Sequence, residues 1–200
     1  MYANSYYVKD SLILFEDTQY NTWNIYYKGN IKQLFQSTGT LAAPAFVGDN
    51  IVVFKDNGDE WKVFYNGKIY TFGVWMNSIN FAVGTNIACL NDPTMGTFAV
   101  FENGEFMDVE PQFAKTYKSG KDFIVYQDIN GVLMYYSKGE KLKISDFPTS
   151  YDVADDVILF TENGRTYTFY NKQRIELCSY IPKDYLLKNK IICFRNVMGG

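Results

Sequence analysis

One short apolar strand recurs six times along the 200-residue chain, and this recurrence limits the fold more than any other feature. The copies are Leu12-Ile13-Leu14-Phe15, Ile51-Val52-Val53-Phe54, Ile87-Ala88-Cys89-Leu90, Phe123-Ile124-Val125-Tyr126, Val157-Ile158-Leu159-Phe160 and Ile191-Ile192-Cys193-Phe194. Their last residues follow one another after 39, 36, 36, 34 and 34 residues. A near-constant period of this length marks a repeat architecture, in which each unit buries its apolar faces only against its neighbours. A polar pair closes each copy, from Glu16-Asp17 and Lys55-Asp56 through Asn91-Asp92, Gln127-Asp128 and Thr161-Glu162 to Arg195-Asn196. Such a pair is expected where a strand runs into a turn.

The rest of the unit repeats with the anchor. A second strand is expected at Trp23 to Tyr27, Trp61 to Tyr65, Thr97 to Phe101, Val132 to Tyr136 and Thr166 to Tyr170. It ends in Lys28-Gly29, Asn66-Gly67, Asn103-Gly104, Lys138-Gly139 and Asn171-Lys172. Asn-Gly accepts the positive φ angles of a tight type I′ hairpin, so each pair should turn the chain back into an antiparallel partner. Asn171-Lys172 lacks the glycine and is the turn expected to differ in type. A shorter strand precedes each anchor, at Tyr6 to Val8, Pro44 to Val47, Asn80 to Val83, Thr116 to Lys118, Tyr151 to Val153 and Tyr185 to Leu187.

Four antiparallel strands per unit is the layout of a propeller blade. The fold expected is therefore all-β, with repeated four-stranded antiparallel blades forming a β-propeller-like domain over residues 1–200. It holds five full units, at about 6–39, 43–78, 80–113, 116–149 and 151–183, and the first half of a sixth at 185–196. A β-sandwich or a flat repeat array are the alternatives, though a sandwich does not require like strands at one period. The unfinished sixth unit leaves three accounts open: a piece of a longer propeller, a ring with an incomplete blade, or an open arc closed by self-association through a blade edge.

Composition agrees with strands and narrows the partners. Apolar residues make up 47% and aromatics 18% of the chain, which suits a packed β structure and not a disordered one. The apolar runs are too short for a membrane-spanning helix, so no membrane insertion is expected. A net charge of -3 with both signs interspersed provides no footprint for nucleic acid. Met1 to Ser5 has neither a basic nor an apolar leader segment, so no signal peptide is expected. Cys89, Cys178 and Cys193 form no CxxC pair, and Cys89 and Cys193 stand in apolar strands, where a free thiol acts as a small hydrophobe.

The run from Ala43 to Phe54, followed by Trp61-Lys62-Val63-Phe64-Tyr65-Asn66-Gly67-Lys68, resembles the blade of TolB-type and WD40-like propellers, with Val47-Gly48-Asp49-Asn50 where TolB blades carry Ser-Pro-Asp-Gly. That resemblance implies a scaffold for partner binding, situated outside the cytoplasm, in the periplasm or at the cell surface. It also brings in the hydrolases and lyases built on related blades.

Chemistry is sparse. The chain has no histidine, which removes the commonest general base and metal-binding nitrogen. Ser-His-Asp and Cys-His systems are excluded, and neither a zinc spacing nor a phosphate-binding glycine loop occurs, so no cofactor or metal is expected. Asp56-Asn57-Gly58-Asp59-Glu60 and Asp128-Ile129-Asn130-Gly131 have calcium-loop character, but turn chemistry accounts for both. Glu102, Glu110, Glu162 and Glu176 are the carboxylates from which a glycoside hydrolase or lyase would have to draw its pair. Trp23 and Trp61 fall at matching strand positions and are expected between blades.

The connectors between units and the turns after the anchor strands should share one rim. That rim would hold Gln19, Tyr20, Asp59, Trp75, Met76, Met95, Phe113, Phe147 and Tyr180. Tyr20, Asp59, Trp75, Met76, Met95 and Tyr180 are the candidate contact residues, because aromatic and Met side chains offer large contact area at modest entropic cost. The function expected is a non-catalytic interaction or scaffold domain with a protein partner; the alternatives are a carbohydrate-binding module with a glycan ligand and a carboxylate enzyme.

Overall fold

The computed structural model describes residues 5–37, 45–73 and 79–195. Five sheets have four strands each and a sixth has two. The first blade is β1 (Tyr6–Val8), β2 (Leu12–Asp17), β3 (Thr22–Tyr27) and β4 (Asn30–Gln36); the second is β5 (Ala45–Val47), β6 (Ile51–Lys55), β7 (Trp61–Tyr65) and β8 (Lys68–Thr71). The third is β9 (Phe81–Val83), β10 (Ile87–Asp92), β11 (Thr97–Glu102) and β12 (Glu105–Glu110); the fourth is β13 (Thr116–Ser119), β14 (Ile124–Gln127), β15 (Leu133–Ser137) and β16 (Glu140–Ser145). The fifth is β17 (Ser150–Ala154), β18 (Val157–Glu162), β19 (Arg165–Tyr170) and β20 (Gln173–Cys178), and the sheet that follows is β21 (Tyr185–Lys188) and β22 (Ile191–Phe194). Within each sheet the strands lie in chain order and pair antiparallel, which is the predicted blade, and the propeller is open.

The anchor strands read as unbroken apolar runs because both of their faces are covered. Successive side chains on a strand point to opposite faces, so Ile51 and Val53 pack toward the third blade while Val52 and Phe54 pack toward the first. Each joint between neighbouring full blades has its own core. Leu12, Leu14, Trp23 and Ile25 meet Val52, Phe54 and Phe64. Trp61, Val63 and Tyr65 meet Phe81, Leu90 and Phe101. Cys89, Phe98 and Val100 meet Ile124 and Tyr126, and Val125 and Leu133 meet Ile158, Phe160 and Phe169. Trp23 and Trp61 are buried in these joints, as their strand positions require.

The outer hairpins are alike. Lys28-Gly29, Asn66-Gly67, Asn103-Gly104 and Lys138-Gly139 all have positive φ at both residues. Asn171 and Lys172 do so too, at 49° and 61°, so the expectation of a different last turn is corrected. Register there is held by the flanking ladder from Thr168–Ile175 to Tyr170–Gln173, and the lysine is carried into a conformation that glycine would adopt without strain. The third and fourth strands also share a bulge, at Trp23/Asn24, Phe98/Ala99, Leu133/Met134 and Thr166/Tyr167. The bulge adds local twist at the same height in the first, third, fourth and fifth blades, while β7 and β8 of the second pair without it.

The turns between first and second strands line up around the axis and are tied blade to blade by main-chain bonds. Asn50 N donates to Thr85 O (3.0 Å), Thr85 N to Lys121 O (2.5 Å), Lys121 N to Asp155 O (2.7 Å) and Asp156 N to Asn189 O (3.2 Å). Side chains run beside this ladder, with Asn50 Nδ2 donating to Asn86 Oδ1 and Asn86 Nδ2 to Asp122 Oδ1, at 2.9 and 2.8 Å. Gly48, Gly84 and Gly120 stand at the closest approach. A Cβ on Gly84 would lie 2.1 Å from Gly120 O, and one on Gly48 would lie 1.9 Å from Gly84 O.

The last sheet departs from expectation in one residue. Cys193 is exposed, unlike the fully buried Cys89, because among the described residues no sheet covers the outer side of β22. All three cysteines are free thiols.

Candidate functional site

Antiparallel order places the turns between second and third strands, and the connectors between blades, on one edge of every sheet. The blades are aligned so that these edges form one face: Gln36 N donates to Asn57 Oδ1 across the first joint (2.7 Å). Tyr20 and Met95 stand on this face 67% and 66% exposed. Phe113, Ile129, Phe147 and Ile181 join them as exposed apolar side chains of the same turns and connectors. Asp59 lies there as well, but its carboxylate pairs with Lys55 Nζ at 2.6 Å. Tyr180 is half-buried; its carbonyl accepts from Thr166 Oγ1 at 2.7 Å and its ring faces Phe194. Trp75 and Met76 lie outside the described residues.

The acidic residues that the sequence singles out are committed to structure. Asp56 Oδ1 accepts from Gly58 N and Glu60 N, and Asp128 Oδ1 from Asn130 N and Val132 N, so both segments with calcium-loop character close on their own backbone. Burial alone would raise the Asp56 carboxyl, but bonds from Lys62 and these amides outweigh it and hold the group below its usual range. Glu110 Oε1 takes the buried Tyr126 hydroxyl at 2.6 Å and Lys141 Nζ at 3.0 Å. Glu162 accepts from Ser145 Oγ at 2.6 Å and pairs with Arg174, whose guanidinium stacks on Tyr167. Glu176 is held by Arg165 at 2.9 Å. Among the described residues, no three acidic or cysteine side chains group as a metal site.

The opposite edge carries the hairpin turns and the axial turns, and here neighbouring blades are latched by one repeated position. In the first and third blades the residue before the hairpin turn reaches the turn of the next blade. Tyr27 Oη donates to Asn66 Oδ1 at 2.9 Å, and Glu102 accepts from Lys138 N and Gly139 N at 2.9 and 3.2 Å. Tyr65 occupies the same position in the second blade, yet its hydroxyl has no hydrogen-bond partner among the described residues. A cavity of about 540 Å³ opens there instead, lined by Tyr65, Asn86, Glu102, Asn103, Glu105 and Asp122, with Met107 and Lys138 at its wall. Of the candidate site residues that the sequence singles out, Glu102 alone lines this cleft, and the contact residues it points to lie in turns and connectors elsewhere. Aligning Tyr27, Tyr65 and Glu102 as the residues before the hairpin turns is the signal that could have found it.

The whole chain, residues 1–200, matches the model of the 10-bladed beta propeller domain family. No curated protein matches it in sequence. Solved propellers share its fold at low identity. Prp20p of Saccharomyces cerevisiae, whose binding properties to Gsp1p and histones are described, superposes with a TM-score of 0.48 at 10% identity, over 83% of this chain and 56% of that one. Yeast RCC1 (Prp20) bound to Kap60 superposes with a TM-score of 0.51 at 10% identity, over 94% of this chain and 66% of that one. Hsv2p of Kluyveromyces lactis superposes at 0.46, with 12% identity, over 88% and 62%. The chain thus spans between half and two thirds of these proteins' resolved length. The family match is to a 10-bladed propeller domain and the structural likeness shows the β-propeller fold, so the TolB assignment is corrected to a β-propeller with nothing specific to TolB. The periplasmic or cell-surface location that rested on TolB alone is corrected with it, since the family matched is the 10-bladed beta propeller domain and not TolB. With a family match over its full length and the repeated four-stranded blades that the match requires, the chain belongs to the 10-bladed β-propeller domain family.

Proposed function

We propose that the protein is a non-catalytic interaction scaffold that presents the connector face of its propeller to a protein partner. The observation that carries this reading is the asymmetry between the two faces. Tyr20, Met95, Phe113, Ile129, Phe147 and Ile181 are exposed in the turns and connectors of this face, whereas on the opposite edge the exposed apolar side chains, Ile31, Phe106 and Tyr170 among them, stand in the strands that flank the hairpin turns. Exposed apolar side chains concentrated on one side of a molecule mark a contact surface more often than singly scattered ones do. The use of the same fold in yeast RCC1, bound to Kap60, supports the reading. Asp59 and Tyr180 belong to the proposed surface by their place in the same turns and connectors.

The test is affinity capture with the intact protein, followed by titration of each purified partner. Tyr20→Ala and Met95→Ala should each weaken the complex about tenfold while leaving the urea midpoint unchanged. Equal affinity in both variants sinks the reading, and a large loss of stability reassigns these side chains to the core.

A second reading, self-association through the open ends, is favoured by the exposed faces of the first and last sheets, where Tyr6, Val8, Leu186 and Ile191 are uncovered. Sedimentation equilibrium that shows a monomer throughout the micromolar range would exclude it.

A further inference from the structure

The cavity lined by the second, third and fourth blades has the chemistry of a receptor for a positively charged planar group. We propose that it takes an arginine side chain of a protein partner, an inference that rests on the scaffold reading above. Three carboxylates line it, from Glu102, Glu105 and Asp122, against one ammonium from Lys138. Glu102 is already bound to two turn amides and Asp122 Oδ1 accepts from Asn86, which leaves the Glu105 carboxylate and the second Asp122 oxygen for a ligand. Two separate acceptors suit the donor fork of a guanidinium better than the point charge of an ammonium.

Tyr65 is the independent sign that something belongs there. It is 8% exposed and lines the cavity, and its hydroxyl is without a partner although the equivalent Tyr27 hydroxyl is bound to the next blade's Asn66. No fully buried side-chain oxygen or nitrogen lacks a partner among the described residues, so this unlatched hydroxyl is open to the cleft and free to bond a ligand there. Burial, and after it the neighbouring Tyr27, Tyr70, Asp122 and Glu102, push the Tyr65 phenol up, so two of the cavity's carboxylates are felt at this side chain. The same field favours an incoming cation. The volume falls within the range of sites that enclose a small ligand, and the Tyr65 ring supplies an aromatic surface on which a guanidinium can stack.

The test uses the full chain and N-acetyl-arginine methylamide as the probe, with the citrulline analogue as its neutral isostere and N-acetylglucosamine as a sugar control. Binding is followed by the amide NMR shifts of Gly104, Lys138 and Gly139. The expected result is saturable shifts with arginine, binding at least tenfold weaker with citrulline, and none with the sugar. Glu105→Gln, an exposed change that leaves the fold alone, should weaken arginine threefold or more, and Glu105→Gln with Asp122→Asn should abolish the shifts. Tyr65→Phe keeps the ring and should weaken binding without changing the melting temperature. Equal binding of citrulline, unchanged affinity in the Glu105 and Asp122 variants, or shifts with the sugar alone would each overturn the proposal. Because the probe needs no connector-face contact, this result and that of the Tyr20 and Met95 variants fail independently.

Discussion

Gly84→Ala should be among the most damaging single-methyl additions in the molecule, for a reason unrelated to backbone conformation. Gly84 is not among the residues with positive φ, so alanine meets no torsional objection there. Its Cβ would lie 2.1 Å from Gly120 O, 2.6 Å from Lys121 O and 3.0 Å from the Ile87 Cγ2 methyl. The first two are main-chain atoms that no rotamer change can move. Restoring ordinary contact requires the axial turns of the third and fourth blades to part by about 1 Å, which takes the bond from Thr85 N to Lys121 O out of range and strains that from Asn86 to Asp122. Overpacking costs about 1–3 kcal/mol and each lost bond about 1 kcal/mol, so a destabilisation near ~3 kcal/mol is expected. Gly29→Ala is the control. Nothing lies within 4 Å of its added Cβ, but its φ is 84°, and the cost should be about 1–2 kcal/mol from strain alone. Urea unfolding followed by the fluorescence of buried Trp23 and Trp61 measures both. A loss below about 1 kcal/mol for Gly84→Ala, or a larger loss at Gly29 than at Gly84, would refute the account of the hub.

Other perturbations probe the joints. Burial alone would raise the Glu162 carboxyl, but Ser145, Arg174 and the Phe147 amide outweigh it and hold it below 4.5; its contribution to stability is therefore present above that pH and lost as pH falls through the lower folded value, so Glu162→Gln should flatten the acid limb of a stability-against-pH curve. Tyr126→Phe removes the donor to Glu110 from a fully buried ring and should cost about 1.5–3 kcal/mol in urea unfolding, with no change in the far-ultraviolet spectrum. Burial pushes the Cys89 thiol up, so a thiol reagent at pH 8 should label Cys193 first, Cys178 more slowly and Cys89 only after denaturant is added.

The period of the anchor strands, read from Phe15 to Phe194, was enough to reach the blade, because strands covered on both faces must be apolar at every position and so stand out against their polar turns. Asn66-Gly67 and its counterparts showed the hairpins for an equally local reason, since few residues tolerate two successive positive φ angles. Asn171-Lys172 defeated the same rule because strand pairing on both sides outweighs the preference of one lysine. Cys193 defeated the reading of apolar runs, since a run does not say whether a neighbouring sheet covers it. The connector face was legible as a set of loops. The Tyr65 cleft was not, because it depends on a hydrogen bond that is made by Tyr27 and not made one blade later.

The ladder around the axis has a consequence for how such a molecule can change over time. Its rungs join main-chain nitrogen to main-chain oxygen, and the side chains at those rungs, from Asn50 to Asn189, include amide, hydroxyl, ammonium and carboxylate. A joint indifferent to side-chain identity can accept a duplicated or transplanted unit without a matching change in its neighbour, provided that a small residue stays at the closest approach. Growth by whole units is thereby separated from drift of sequence within them, so long as Gly48, Gly84 and Gly120 leave room for the close approach.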